Sequence, residues 1–354
     1  VETESNIVAE TAERIFADLA DAQAINADHA GGWKAPLWQA LTESGLPLSW
    51  VAEDFGGAGA SLADGFAVLN AAGRAALPAP LAETMLAGWL LAQAGIASLD
   101  GAMTVVPAHP KDRIVLGHDG CLSGGARGVP FGHEAKHIAV LAHGDKGAVV
   151  ALVDAAACRI DEGTSLGGDA LDVVSFDAVV PLQTASAPRG FDQTALMLMG
   201  CVVRSLQIAG SLETLLAISV AYANQRVAFE KKIGQFQAVQ HNLAKLAGET
   251  SAALAAATSA ADAICSAASF DDAVFLEAAA AKIRCAEAAE KGAAIAHQVH
   301  GAIGFTEEHI LHRYSLRALG WRDDFGSESH WAVELGRLVA GRGADDLWPL
   351  VASR

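Results

Sequence analysis

The stretch RVAFEKKIGQFQAVQHNL, residues 226–243, places a cation, an aromatic ring and amides around one helix–turn–helix junction. Arg226 offers a planar fork of donors that grips a pyrophosphate bidentately. Phe229 adds a flat apolar surface, and Gln237 and Gln240 carry amides that hydrogen-bond a base or a ribose. That combination suits a dinucleotide. Alone, it equally serves as a solvated charge above a core contact. Further on, HQVHGAIGFTEEHILHRY at residues 297–314 brings glycines and histidines together in a second such junction.

The two segments at this separation resemble the acyl-CoA dehydrogenase family. Its C-terminal helical part carries R-x-x-F-G-K-x-I-x-x-F-Q-x-x-Q and, later, Q-x-x-G-G-x-G-F/Y. Near the start, WKAPLWQALTESGLPLSWVAEDFGGAG at residues 33–59 resembles the family's G-L-x-x-L-x-V-P-E-x-x-G-G-A-G. The resemblance spans nearly the whole chain and is weakest in the middle.

Composition narrows the function classes. At 354 residues the chain is long enough for two or three domains or one large core. Ala- and Leu-rich composition with few aromatics favours helices. A formal charge of −17 with no Lys/Arg run excludes a nucleic-acid partner. Long apolar runs such as residues 244–268 are interrupted by Lys245, Glu249 and Asp262, too polar for a membrane span. The five cysteines are odd in number, with no C-x-x-C, and read as reduced thiols in a cytoplasm. No secretory signal is legible, and the chain begins at Val1.

Periodicity divides the chain into three. Residues 1–100 read as helices, with Ile15, Leu19, Ala22 and Ile25, then Leu62, Phe66, Leu69 and Ala72, at helical spacing. The GGAG at 56–59 lacks the strand and Lys of a phosphate loop and reads as a loop feeding an N-cap at Ser61. Residues 101–188 hold short β-favouring runs at 113–116, 137–141, 148–153 and 173–180, a small β domain. From 189 to 354 helical periodicity returns, as in Phe236, Val239, Leu243 and Leu246, and four long helices would make a bundle.

The resemblance implies this same order: an N-terminal helical domain, a central β domain and a C-terminal four-helix bundle, mainly α overall. It further implies FAD between the β domain and the bundle, with its adenosine end reaching a neighbouring subunit, hence a tetramer. Arg226, Phe229 and Gln237 correspond to residues meeting the adjacent protomer's FAD. Gln298, Gly301 and Gly304 correspond to the second motif, where absent side chains let backbone approach the cofactor; a helix-ending turn accounts for the same glycines. An acyl-CoA thioester is the implied substrate and an electron-transfer flavoprotein the implied electron acceptor.

The family's α,β-desaturation needs a carboxylate to remove the α proton. In most relatives it is the Glu of an I-Y-E-G-T run, and ungapped counting from Gln298 places Phe325 there. Other relatives hold the base at an earlier helix, where counting back from Arg226 lands on Gly200 and Cys201. Neither position carries a carboxylate. Asp324 is the remaining candidate, one residue out of register. Asp323 and Arg322 read as a surface pair or loop contact, and Glu307 and Glu308 as a helix start.

The middle departs further: there is no T-E-P-x-A-G-S-D run, only MTVVPAHP at 103–110, and no Trp between 101 and 188. GAIGFTEEHILHRYSLRA at 301–318 resembles the branch acting on steroid side chains and other bulky acyl groups, in which two different chains form an α2β2 assembly. His297 and His300, like His309 and His312, are three apart, but further metal ligands are not evident and no metal is expected. His300 is the histidine placed for a flavin or interface contact. Three readings stand: a half-site subunit whose partner supplies the Glu, a non-catalytic scaffold, and a self-sufficient homotetramer using Asp324.

Overall fold

The computed structural model describes residues 6–28 and 30–352. Five helices open the chain: α1 (Ile7–Leu19), α2 (Ala22–Ala27), α3 (Lys34–Glu43), α4 (Leu62–Arg74) and α5 (Leu81–Gln93). The periodic set Ile15 to Ile25 spans a break, because Asp21 accepts from Ala24 N and starts α2 as its cap. Ser61 caps α4 as expected, in a reciprocal capping box with Asp64.

Eight strands follow: β1 (Met103–Val106), β2 (Arg113–Leu116), β3 (Leu122–Pro130), β4 (His137–Gly144), β5 (Gly147–Asp154), β6 (Arg159–Asp161), β7 (Leu171–Val179) and β8 (Gln183–Ser186). They form one sheet in the order β6-β7-β3-β2-β4-β5-β8, with β1 beside β4. The β1–β4 and β2–β4 pairs are parallel and the rest antiparallel. The four β-favouring runs lie in β2, β4, β5 and β7. β3 was hidden by Gly124, Gly125 and Gly128, which read as turn residues. β4 is buried on both faces: Ile138, Val140 and Ala142 enter a core internal to the sheet, while Ala139 and Leu141 join the core shared with the helices.

The remainder is α6 (Gln193–Gln225), a two-stranded hairpin of β9 (Val227–Ala228) and β10 (Lys231–Lys232), α7 (Gln237–Ser266), α8 (Asp272–His300), α9 (Leu311–Trp321), α10 (Glu328–Arg342) and α11 (Leu347–Ala352). The expected four long helices are three. α9 and α10 are short helices broken by the loop at 322–327, where Gly326 is at φ +99° and Ser327 caps α10. The apolar-run expectation also needs correction. α6, not residues 244–268, is apolar and long enough to cross a membrane, and its most apolar window, mean hydropathy 1.5, is wholly buried in this fold.

α6 is the central helix, and α4 crosses it at backbone contact. A Cβ on Gly73 would lie 2.2 Å from Gln207 O, and one on Gly210 would lie 2.2 Å from Asn70 O. Thr214 Oγ1 donates to Arg74 O at 2.8 Å across the same crossing. The N-terminal helices and the bundle thus share one continuous core. α7 is less enclosed at its start: of Phe236, Val239, Leu243 and Leu246, only Leu246 is buried.

Candidate cofactor half-site and the filled base position

α6 ends at Tyr222–Gln225, and Arg226 N donates to Tyr222 O at 2.8 Å. Ile233 N closes the following hairpin onto Arg226 O at 2.9 Å. Its tip is Phe229 at φ +53° and Glu230 at φ +65°, both left-handed. Phe229 is 88 % exposed. Glu230 stands where the family run has Gly, and only the backbone reveals the strain there. An L residue there costs about 1 kcal/mol, so Glu230→Gly is expected to raise unfolding free energy by about that amount, read from the urea midpoint.

α8 ends at Gly301, at φ +65° and ψ −142°, and a tight 3-10 turn covers Gly301–Phe305. Tyr222 Oη donates to His300 O at 3.3 Å, so both segments meet at one end of the bundle. Arg226, Gln237 and Gln298 are all exposed there. Among the described residues their side chains form no hydrogen bond or ion pair, whereas Gln240 is spent on Gly234 O at 3.0 Å. The two glycines differ. A Cβ on Gly301 would meet open space, but one on buried Gly304 would press His300 Cβ at 3.0 Å and Leu311 at 3.1 Å. At Gly304 the missing side chain also makes room for packing within the chain. An uncommitted guanidinium, two uncommitted amides and an exposed ring are a donor set that fits the phosphate and base end of a dinucleotide.

The two positions reached by counting from the motifs, Gly200 and Phe325, meet in space. Phe325 is fully buried with its ring on Gly200, where a Cβ would sit 2.3 Å from the ring's Cγ. Phe325 is at φ +55°, and three bonds hold it there. Its N donates to Ala108 O at 3.0 Å, and its O accepts from Trp331 Nε1 at 3.0 Å and Cys201 Sγ at 3.4 Å. Burial pushes the Cys201 thiol up to about 12, so it is no base.

Asp324 is committed elsewhere. Its carboxylate accepts from Arg204 Nε at 2.8 Å, and Arg204 also donates to Glu83 Oε1 and Gln207 Oε1, each at 2.6 Å. Lys282, lowered by burial, donates to Trp321 O at 2.8 Å and Asp324 O at 2.6 Å. Burial pushes Glu83 up against the pull of Arg204, while the two carboxylates outweigh burial in raising Arg204. Arg322 pairs with Glu290 at 3.1 Å and Glu328 at 3.6 Å rather than with Asp323. Glu307 and Glu308 lie in the turn before α9, not in its first turn, and Glu307 O accepts from Asn26 Nδ2 at 2.5 Å.

Around Phe325 the seam between sheet and bundle is closed. Arg317 clasps Asp169 with two bonds of 2.8 and 2.6 Å, and Gln193 Nε2 donates to Pro110 O at 3.1 Å and Asp112 O at 3.2 Å. The cavity beside Phe131, Arg204, Trp321 and Asp324 is about 20 Å³, room for about one water. Larger openings flank it: one of about 350 Å³ beside Phe131, Asp169 and Arg317, and one of about 470 Å³ between the β4–β5 hairpin and the start of α6.

A helical layer, a mixed sheet and a helical bundle, in this order, are the architecture of flavoprotein dehydrogenases. The chain belongs to the acyl-CoA dehydrogenase family: the model of the family's N-terminal domain matches residues 2–99 and that of its C-terminal domain matches residues 190–327. It is similar to the acyl-CoA dehydrogenase IpdE2 of Mycobacterium tuberculosis, 28 % identical over 351 residues and 98 % of each chain. Its fold is similar to that in the ChsE4-ChsE5 complex from Mycobacterium tuberculosis, with a TM-score of 0.86 and 24 % identity over 97 % of this chain and 99 % of that one. A Tcur3481-Tcur3483 steroid ACAD variant gives a TM-score of 0.82 at 26 % identity, covering 94 % of this chain and 97 % of that one.

Proposed function

We propose that this chain is one subunit of a two-chain acyl-CoA dehydrogenase, lending half of an FAD site to a related chain that carries the catalytic Glu. One observation carries the reading: both base positions are occupied, Gly200 by close contact and Phe325 by its ring, while Arg226, Gln237 and Gln298 remain uncommitted at the surface. A chain that served only as scaffold would have no use for an unpaired guanidinium held on a strained hairpin.

In this reading Arg226 holds a pyrophosphate, Phe229 packs against the ligand or the partner, and Gln237, Gln298 and the open backbone at Gly301 bind its polar edges. FAD, when bound, supplies the acceptor for the hydride leaving the β carbon of the thioester. This chain's part is to bind and orient; the proton is taken by the partner's carboxylate. Two neighbours are two-chain complexes and one of them is a steroid ACAD, which supports a heteromer acting on a bulky, steroid-type acyl-CoA. An electron-transfer flavoprotein is the proposed electron acceptor. Five free cysteines support a reducing compartment, the cytoplasm.

The chain purified alone is expected to be colourless, and the assembled complex to hold one FAD per pair of chains. Arg226→Ala in that complex is expected to weaken flavin binding by roughly 30-fold or more, the loss of a charge-assisted contact of about 2 kcal/mol. Absorbance of the gel-filtered complex measures it. Wild-type flavin content in Arg226→Ala would leave the scaffold reading, and a yellow lone chain would leave the self-sufficient one.

A further inference from the structure

The turn that begins at Gly301, just past Gln298 at the end of α8, is built on imidazole rings. His300 stacks on Tyr222 at 4.4 Å and meets the ring of His309 at 4.8 Å; His309 lies 6.1 Å from Tyr222. Gly304 folds back onto His300 Cβ, and Phe305 lies 4.6 Å from the His297 ring. The hydrogen bonds fix the tautomer of His300. Its Nδ1 is 2.8 Å from Ala296 O, a pure acceptor, so Nδ1 carries the proton. Nε2 then bears the lone pair, buried and without a partner among the described residues.

We propose that His300 is the positioning residue of this half-site: as an uncharged ring packed on Tyr222 and His309 it holds the Gly301–Phe305 turn in shape, and a proton on Nε2 releases the turn. The inference rests on the half-site reading and adds regulation to it. A charged His300 would place a buried N–H without an acceptor beside two further imidazoles.

The titratable groups facing it are His297 on its own helix, Tyr222 on α6 and His309 before α9, while His312 acts in turn on His297 and His309. Glu307 and Glu308 are exposed on the same turn, and among the described residues no carboxylate pairs with His297, His300 or His309. Burial first, then the neighbouring histidines, holds His300 below its ordinary 6.5. The sign follows. The closed turn binds fewer protons than the open one, so its stability is complete above about pH 6.5 and is lost as pH falls through the lowered value.

Hydrogen–deuterium exchange of the purified chain alone, from about pH 8 to about pH 5 and corrected for intrinsic rates, tests this. Exchange of residues 298–306 is expected to rise on acidification, at most about tenfold per pH unit for one proton, while the middle of α8 stays protected. His300→Phe keeps a ring but takes no proton, and its exchange is expected to stay flat. If that variant does not fold, the wild-type imidazole signal of His300 in a proton–carbon NMR titration takes its place, with a midpoint expected to match that of the exchange. Flat exchange in the wild type, an unaltered acid response in His300→Phe, or mismatched midpoints would each overturn the proposal. Because no flavin enters this experiment, its failure is separate from the Arg226→Ala result.

Discussion

Phe325→Glu is expected to give no turnover in this chain and to cost about 3–5 kcal/mol of stability. The substitution puts a carboxylate at the position counted for the base, so the expectation depends on what surrounds it. The ring it removes fills the space over Gly200, which has no side chain to take its place. The carboxylate it adds enters a cluster already holding Glu83 and Asp324, and the one nearby guanidinium, that of Arg204, is 5.8 Å from the ring and satisfied on three sides. Lys282 is the remaining cation, and it is bound to two carbonyls. Denaturant unfolding gives the cost, and an acyl-CoA assay with added FAD and an artificial acceptor gives the activity. A folded variant that desaturates would show that the seam admits flavin and substrate, and the two-chain reading would fall. Phe325→Leu, expected to cost less because it keeps apolar volume, separates lost packing from buried charge.

What the sequence made legible was local. Ser61 capped α4 because an N-cap and its Asp64 partner are three residues apart, and the two segments around Arg226 and Gln298 were readable as motifs. Even the meeting of Gly200 with Phe325 was implicit in two separate offsets, each pointing to where a base should be. The rest was hidden because it depends on distance along the chain. Asp324 looked available, since its partner Arg204 lies 120 residues away. That Gly304 also leaves room for His300, whose Cβ would lie 3.0 Å from a side chain there, could not be read from the motif. The stretch of α6 at residues 195–212 is apolar all round because it is enclosed on every side, and enclosure is a property of the surrounding elements. Glu230 carried no signal in the sequence reading; its significance lies in a φ of +65°.

The second large effect is expected at Arg204. It is 2 % exposed, and it joins Glu83 of α5, Gln207 of its own helix and Asp324 of the loop after α9. Arg204→Ala leaves two carboxylates in the interior without their shared cation, each raising the cost of ionising the other. Breaking a buried pair from one side typically costs about 3–5 kcal/mol, and total stabilities are about 5–15 kcal/mol, so loss of about a third or more of the stability, read as a much lower urea midpoint, is the expected outcome. Arg204→Lys is expected to recover little, since one ammonium cannot replace a planar fork aimed at three acceptors. The decisive comparison is Arg204→Met combined with Glu83→Gln and Asp324→Asn, which removes the charges together and is expected to regain more than half of the loss. If the single variant loses less than about 1 kcal/mol by urea unfolding, the value of an exposed pair, the cluster is not what fixes the loop. The network matters to function through that loop. Asp324 and the Lys282 bonds anchor residues 321–324, and the next residue is Phe325, held left-handed in the place of the base. The ionic frame therefore aims an aromatic ring at the position counted as that of the base, and in the two-chain reading the fold around it is kept without a carboxylate there.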